Sequence, residues 1–210
     1  GMVEKVLSLK GVKLLGIGAN FGCYGGIKPD EDKIKELSDL AQSIEDTFDI
    51  TLDFVSGGTT SCYRWIKMTK DPKKINGVRL GECLLLGTNE LEGEDILETK
   101  TDTMTLVAEV IESKMKPSMP YGQSGNDVFG NFKRLKDKGN TKRIILNIGH
   151  QDVFIDHLIP RLEIEILGAS SDHLLADASA TDLKLGDEVE FSVKYRAMLA
   201  AMTSSYVEKV

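Results

Sequence analysis

Aromatic residues are scarce in this sequence, histidine is scarcer, and no apolar run approaches the length of a bilayer. Of 210 residues only one is Trp and three are His. His157 and His173 stand at no metal-ligand spacing from another His or Cys, so no metal site is expected. The apolar stretches fall well short of the roughly 20 residues needed to cross a membrane, so no membrane partner is expected. The three cysteines, Cys23, Cys62 and Cys83, show no CxxC spacing and read as reduced thiols of a cytoplasmic protein. Positive charge is also short: 26 Lys and Arg face 33 Asp and Glu, for a net charge of −7. A phosphate backbone calls for a basic face, which excludes a nucleic-acid partner from the expectations. There are no internal repeats, low-complexity tracts or visible signal peptide. Gly1 ahead of Met2 reads as the remnant of a cleaved tag.

What is present is ordinary for a soluble globular protein: 28% charged and 41% hydrophobic residues, enough for one or two cores. Residues 1–100 alternate strand and helix signals. Residues 12–19 read as a strand. Asp30-Glu-Asp32 after Pro29 is an acidic helix start, and Ile34, Leu37, Leu40, Ala41, Ile44 and Phe48 then recur at helical spacing. Residues 51–55 read as the next strand, 62–68 as a short helix carrying Trp65 into the core, and 77–80 as a brief strand. A β-α-β-α-β order implies parallel strands joined by crossover helices. In residues 101–210 the pattern changes to short β-like runs at 104–111, 143–148, 162–167, 173–176 and 188–195, separated by Gly and Pro turns. No long helical periodicity appears there, and residues 114–139 read as a long polar loop. The fold class is therefore α/β plus β, with an α/β segment at 1–100 and a β-rich domain at 101–210.

Two strand ends carry chemistry. Ser56-Gly-Gly-Thr-Thr60 follows the apolar run Ile50-Thr-Leu-Asp-Phe-Val55 and leads into a helix. Backbone N–H groups and short hydroxyls in such a turn suit a phosphate. An ordinary strand-to-helix turn, with Gly for conformational freedom and Thr as a cap, explains the same residues. Arg79, in Val78-Arg-Leu-Gly-Glu82, ends the next strand. It reads either as a group facing a ligand or as a surface arginine paired with Glu82 or Asp53.

Taken with Gly16-Ile-Gly-Ala-Asn20, Cys23-Tyr-Gly-Gly26, Ile166-Leu-Gly-Ala-Ser-Ser-Asp-His173 and Leu199-Ala-Ala-Met-Thr-Ser-Ser-Tyr206, these stretches resemble a known family. The chain is similar to the C-terminal portion of fold-type III, pyridoxal-phosphate-dependent amino-acid racemases, in the alanine-racemase-like group that includes ornithine racemases. The resemblance implies a partial TIM-like barrel segment, a pyridoxal 5'-phosphate cofactor, a small amino-acid substrate and a homodimer. It assigns Ser56, Gly57, Gly58, Thr59 and Thr60 to the phosphate, with Thr60 where related enzymes carry a serine. It assigns Arg79 to the pyridine nitrogen, and the backbone N–H groups of Gly81 and Glu82, together with Tyr206, to the phosphate. Ser171 and Asp172 match the position that presents a backbone N–H to the substrate carboxylate in the neighbouring subunit; a common Asp turn is the alternative. Tyr206 reads equally as an anchor of the tail, and Cys23-Tyr-Gly-Gly26 as pocket lining or a structural turn.

Two departures stand out. Alanine racemases carry a tyrosine as second base in a Val-Ser-Tyr-Gly pattern, whereas the matching stretch here is Asn126-Asp-Val-Phe-Gly130, where Phe129 has no hydroxyl. Asp127 is the first substitute as a catalytic base, ahead of Tyr121 and His150, and alanine is disfavoured as substrate. The family also needs a lysine that forms a Schiff base at the C-terminal end of the first barrel strand. Lys13 precedes the apolar part of its strand, the wrong end for a barrel site. The expectation is a shortened piece of a racemase that lacks this lysine and is inactive alone. An incomplete barrel leaves open strand edges and so implies an oligomer. The alternatives are a fold-type III decarboxylase fragment, disfavoured because its Glu-Pro-Gly-Arg stretch is absent at Arg79-Leu-Gly-Glu82, and a non-catalytic binding or oligomerisation module.

Overall fold

The computed structural model describes residues 1–96, 98–122, 125, 130 and 136–210. It divides into two compact units, Gly1–Thr101 and Asp102–Val210.

The first unit is an α/β segment. It begins with helix α1 (Met2–Ser8), followed by strand β1 (Gly16–Gly18) and the long helix α2 (Glu31–Phe48). Asp30 caps α2: its carboxylate accepts the Lys33 N–H at 2.9 Å, and Glu31 and Asp32 add negative charge at the positive end of the helix. The chain leaves α2 through Asp49, which takes a left-handed conformation at φ 49°. The buried stripe Ile34, Leu37, Ala41 and Ile44 packs on Leu52, Val55, Cys62 and Ile75. Strand β2 (Phe54–Ser56) follows and pairs parallel to β1, with Ile17 opposite Val55. Ser56 in turn forms a parallel bridge to Gly77. Three strand ends therefore run side by side in the parallel order expected, although the regular ladder is shorter than the apolar runs. A 3-10 turn (Thr60–Cys62) leads to α3 (Tyr63–Met68), then α4 (Glu82–Leu86) and a small hairpin of β3 (Thr88–Asn89) and β4 (Glu94–Asp95).

The second unit is mainly β. Its strands are β5 (Thr105–Pro117), β6 (Asn140–Leu146), β7 (Leu158–Pro160), β8 (Glu165–Ala169), β9 (Leu174–Asp177) and β10 (Glu188–Val193), closed by helix α5 (Tyr195–Thr203). They form one antiparallel sheet in the order β7-β10-β5-β6-β9-β8. A register shift between Val110 and Glu112 lets the 13-residue β5 pair with β10 along its first half and with β6 along its second. Period-2 alternation points Leu106, Ala108 and Val110 of β5 inward. They meet Ile144 and Leu146, Leu174 and Ala176, and Val189 and Phe191 in one core. The small residues Ala197 and Ala201 let α5 lie close on that core.

Several features differ from the sequence reading, α1, α4 and the β3–β4 hairpin among them. Residues 114–117 continue β5 and do not start a loop. The brief strand β7 was unmarked. Residues 195–203, to which the sequence reading assigned no element beyond the run ending at 195, form a helix with Ala197 and Ala201 in the core.

Candidate functional site

The strand ends of the first unit are stitched together by backbone bonds. Gly57 N–H donates to Gly77 O at 3.0 Å, and Arg79 N–H donates to Gly58 O at 2.8 Å. This parallel pairing brings the Gly-rich loop and the Arg79 strand end side by side. A third link is made by Cys83 N–H, which reaches Thr60 Oγ1 at 3.4 Å and holds the start of α4 beside the 3-10 turn. Ser56 and Thr60 are buried.

Arg79 crosses the ends of both paired strands. Its Nη2 donates to Ala19 O, just past β1, at 2.8 Å, and its Nη1 donates to Ser56 Oγ at the end of β2. Gly18 makes this crossing feasible: a Cβ there would sit 2.9 Å from Ser56 Cβ and 3.0 Å from Arg79 Nη1. Neither Glu82 nor Asp53 pairs with Arg79. Asp53 is held by Lys13 at 2.8 Å, and the Glu82 carboxylate accepts Glu90 N–H at 2.6 Å and Thr88 Oγ1–H at 3.1 Å. Burial pushes the Glu82 carboxyl above the usual carboxylate range. In place of the surface pair, Arg79 makes a crossing that spends two of its five guanidinium N–H donors.

The loop itself is rigidly held. Cys62 Sγ–H donates to Gly57 O at 2.6 Å, Thr59 and Ser61 hydroxyls lie 3.2 Å apart, and Ser61 Oγ reaches Phe21 O at 3.4 Å. Burial pushes the Cys62 thiol up to about 11, against the opposing pull of the Arg79 guanidinium. The N–H groups of Thr60, Gly81 and Glu82 meet no acceptor among the described residues. A Cβ on Gly81 would meet nothing within 4 Å, so space is open at that end. Unspent donors around open space are what an anion such as a phosphate requires.

Other expected residues fall elsewhere. Lys13 is exposed and stands before β1, at the opposite end from Ala19. Ser171 and Asp172 form the turn between β8 and β9, pinned by Gln151 N–H to Ser171 O at 2.8 Å and His150 N–H to Ser170 O at 3.0 Å. The Asp172 carboxylate accepts the Ser171 hydroxyl at 2.8 Å, which holds its pKa below the usual range. Tyr206 is exposed and shares a cleft of the second unit with Asp172. Asp127, with Phe129 beside it, lies outside the described residues. Gly18 and Ala19 lie in the stretch Gly16-Ile-Gly-Ala-Asn20, but the sequence assigns neither the glycine nor the Ala19 carbonyl a role. A backbone acceptor carries no side-chain signal, and a glycine's role here depends on an arginine 61 positions away.

The likeness to known proteins now has a structural counterpart. Along 99% of its length the chain is 41% identical to an ornithine racemase of Acetoanaerobium sticklandii. It is 40% identical, again over 99% of its length, to a lysine racemase of Thermotoga maritima. The likeness to these two amino-acid racemases runs along nearly the whole chain. It spans 60% and 59% of the length of these two relatives. No protein-family model matches it. Among solved structures, an alanine racemase of Clostridium difficile 630 superposes with a TM-score of 0.61 at 16% identity, over 96% of this chain and 54% of that one. A D-threonine aldolase of Filomicrobium marinum gives a TM-score of 0.56 at 14% identity, over 95% of this chain and 49% of that one. At such identities the structural neighbours establish the fold alone, and one fold serves more than one reaction.

Proposed function

We propose that this chain carries the cofactor-anchoring part of a pyridoxal-phosphate-dependent amino-acid racemase acting on a basic amino acid. The observation that carries the reading is the Arg79 guanidinium lying across the ends of β1 and β2, beside a loop with unspent donors. The donor set fits the cofactor: N–H groups and hydroxyls for a phosphate at one end, a charged planar donor for a ring nitrogen at the other. Pyridoxal phosphate, when bound, supplies the electron sink that stabilises negative charge at the amino acid's Cα.

The chain's own residues do the rest. Ser56, Gly57, Gly58, Thr59 and Thr60, with the N–H groups of Gly81 and Glu82, would hold the phosphate. Arg79 keeps a facing ring nitrogen unprotonated, because a guanidinium stays charged. A ring nitrogen held so would favour return of the proton to Cα over other outcomes. In the second unit, the resemblance assigns Tyr206 to the phosphate and the Ser171-Asp172 backbone to the substrate carboxylate in the neighbouring subunit. Asp127 is the proposed proton carrier on one face of Cα, as racemisation needs an acid–base group on each face. A basic substrate is supported by the two relatives, named for ornithine and lysine. A homodimer in the cytoplasm completes the reading, and three free cysteines suit a reducing compartment.

The test has two parts. Pyridoxal phosphate is titrated into the purified chain and into Arg79→Ala, with absorbance and fluorescence recorded. Racemisation of ornithine, lysine, alanine and serine is then followed by circular dichroism, with the chain alone and mixed with the portion of a relative that it does not span. Saturable cofactor binding lost in Arg79→Ala, with turnover of ornithine or lysine in the mixture, supports the reading. Absence of both cofactor binding and turnover sinks it and favours a non-catalytic module.

A further inference from the structure

The second unit holds a cleft of about 710 Å³ whose charge is one-sided. Glu109, Asp152, Asp172, Glu188 and Glu208 line it, and among the described residues no Lys or Arg does. None of these five carboxylates makes an ion pair with Lys or Arg among the described residues; Asp172 alone has a neighbour of that kind, His173, at 3.4 Å. Some other carboxylates of this chain are handled differently: Glu92, Glu98, Glu112 and Glu165 each hold a lysine. Clustered like charges repel one another, so an unneutralised group of five is costly without a cation.

Asp152 gives a second, independent sign. It is only 5% exposed and lines the cleft. Its Oδ2 accepts Gly149 N–H at 3.0 Å, while its Oδ1 is buried with no donor among the described residues. A buried carboxylate oxygen left without a donor is expensive, and native proteins keep such groups for a purpose.

The geometry points to a ligand with spread-out positive charge. No three His, Cys, Asp or Glu among the described residues gather closely enough to hold a metal ion. The acidic groups are strung along a cleft that also offers Leu106, Ile148 and Val207. We propose that this cleft binds a primary ammonium at the end of an aliphatic chain, with Asp152 accepting from the ammonium and the apolar wall taking the methylenes. The ligand class is a basic amino acid or its aliphatic diamine. In naming a basic amino acid the inference rests on the function proposed above; the site itself stands on the cleft.

The test is calorimetric titration of the full chain, without cofactor, with cadaverine, lysine, norleucine and calcium chloride. Norleucine keeps the lysine skeleton and lacks only the distal ammonium. Cadaverine and lysine are expected to bind at one site, with norleucine weaker by about tenfold or more, and Asp152→Asn to weaken both amines by about tenfold. Binding of cadaverine alone also supports the ammonium site and identifies the diamine as its source. Glu188→Gln, at an exposed position, is expected to weaken both amines a few-fold and stands in if Asp152→Asn loses its native circular dichroism. Norleucine binding as tightly as lysine, calcium binding without amine binding, amine affinity unchanged in the folded variants, or no binding at all overturns the proposal. Because no cofactor or turnover enters, such a failure leaves the racemase assay to be judged separately.

Discussion

The Arg79 guanidinium donates to the buried Ser56 hydroxyl, and the same guanidinium reaches the Ala19 carbonyl at 2.8 Å. One side chain thus ties the ends of two parallel strands together at the mouth of the proposed cofactor site.

Arg79→Ala leaves the Ser56 Oγ without its donor, and Ser56 is only 1% exposed. The expected cost is about 1–3 kcal/mol of stability, read as a lower urea midpoint. Arg79→Lys restores charge but not the fork that reaches two acceptors, so partial recovery is expected. A midpoint equal to wild type in Arg79→Ala contradicts the crossing.

Gly18→Ala places a methyl 2.9 Å from Ser56 Cβ and 3.0 Å from Arg79 Nη1. Ser56 must give way together with the guanidinium, at an expected cost of about 1–3 kcal/mol. Affinity for pyridoxal phosphate should fall with it, while Gly81→Ala, where a Cβ meets nothing within 4 Å, should leave stability nearly unchanged. Paired thermal melts and cofactor titrations check both halves.

Cys62 and Cys83 are buried, and Cys23 is exposed. One thiol per chain should react quickly with a disulfide reagent at pH 8, and three after urea. The Cys62 thiol is raised from 9.0 to about 11 by burial. A raised folded pKa contributes stability below the unfolded value that is lost as pH rises through the folded one, so stability should decline between pH 9 and 11. Cys62→Ser, whose hydroxyl does not titrate there, should flatten that decline in a series of urea melts.

Phe191 is fully buried where β10 faces the core of the second unit. Phe191→Ala should cost about 3–5 kcal/mol through lost burial and the cavity left behind. Differential scanning calorimetry reads the loss, and a change under 1 kcal/mol argues against this core.

Local patterns made part of this fold legible. Asp30 followed by two acids, then Ile34, Leu37, Ala41 and Ile44 at helical spacing, marks α2 because capping and amphipathicity act within a few residues. The alternation of Leu106, Ala108 and Val110 marks β5 for the same reason. Helix α5 escaped notice because Tyr195–Thr203 follows a strand directly, and its packing face is alanine, which carries a weak apolar signal. The candidate site was half legible. Ser56-Gly-Gly-Thr-Thr60 and Arg79 are visible as types in loops, but not that Arg79 turns away from Asp53 and Glu82 towards Ser56 and Ala19.

The sequence by itself determined the strand and helix alternation of the first segment, the change from α/β to mainly β near residue 101, the Gly-rich loop and the excess of negative charge. These follow from periodicities and residue chemistry that operate over a few positions. Only the tertiary structure decided that Ala19, Ser56 and Arg79 meet, and that five carboxylates from separate elements share one cleft with an unpartnered Asp152 oxygen. Such meetings depend on strand register, which is set by burying one face of each strand against residues far away along the chain.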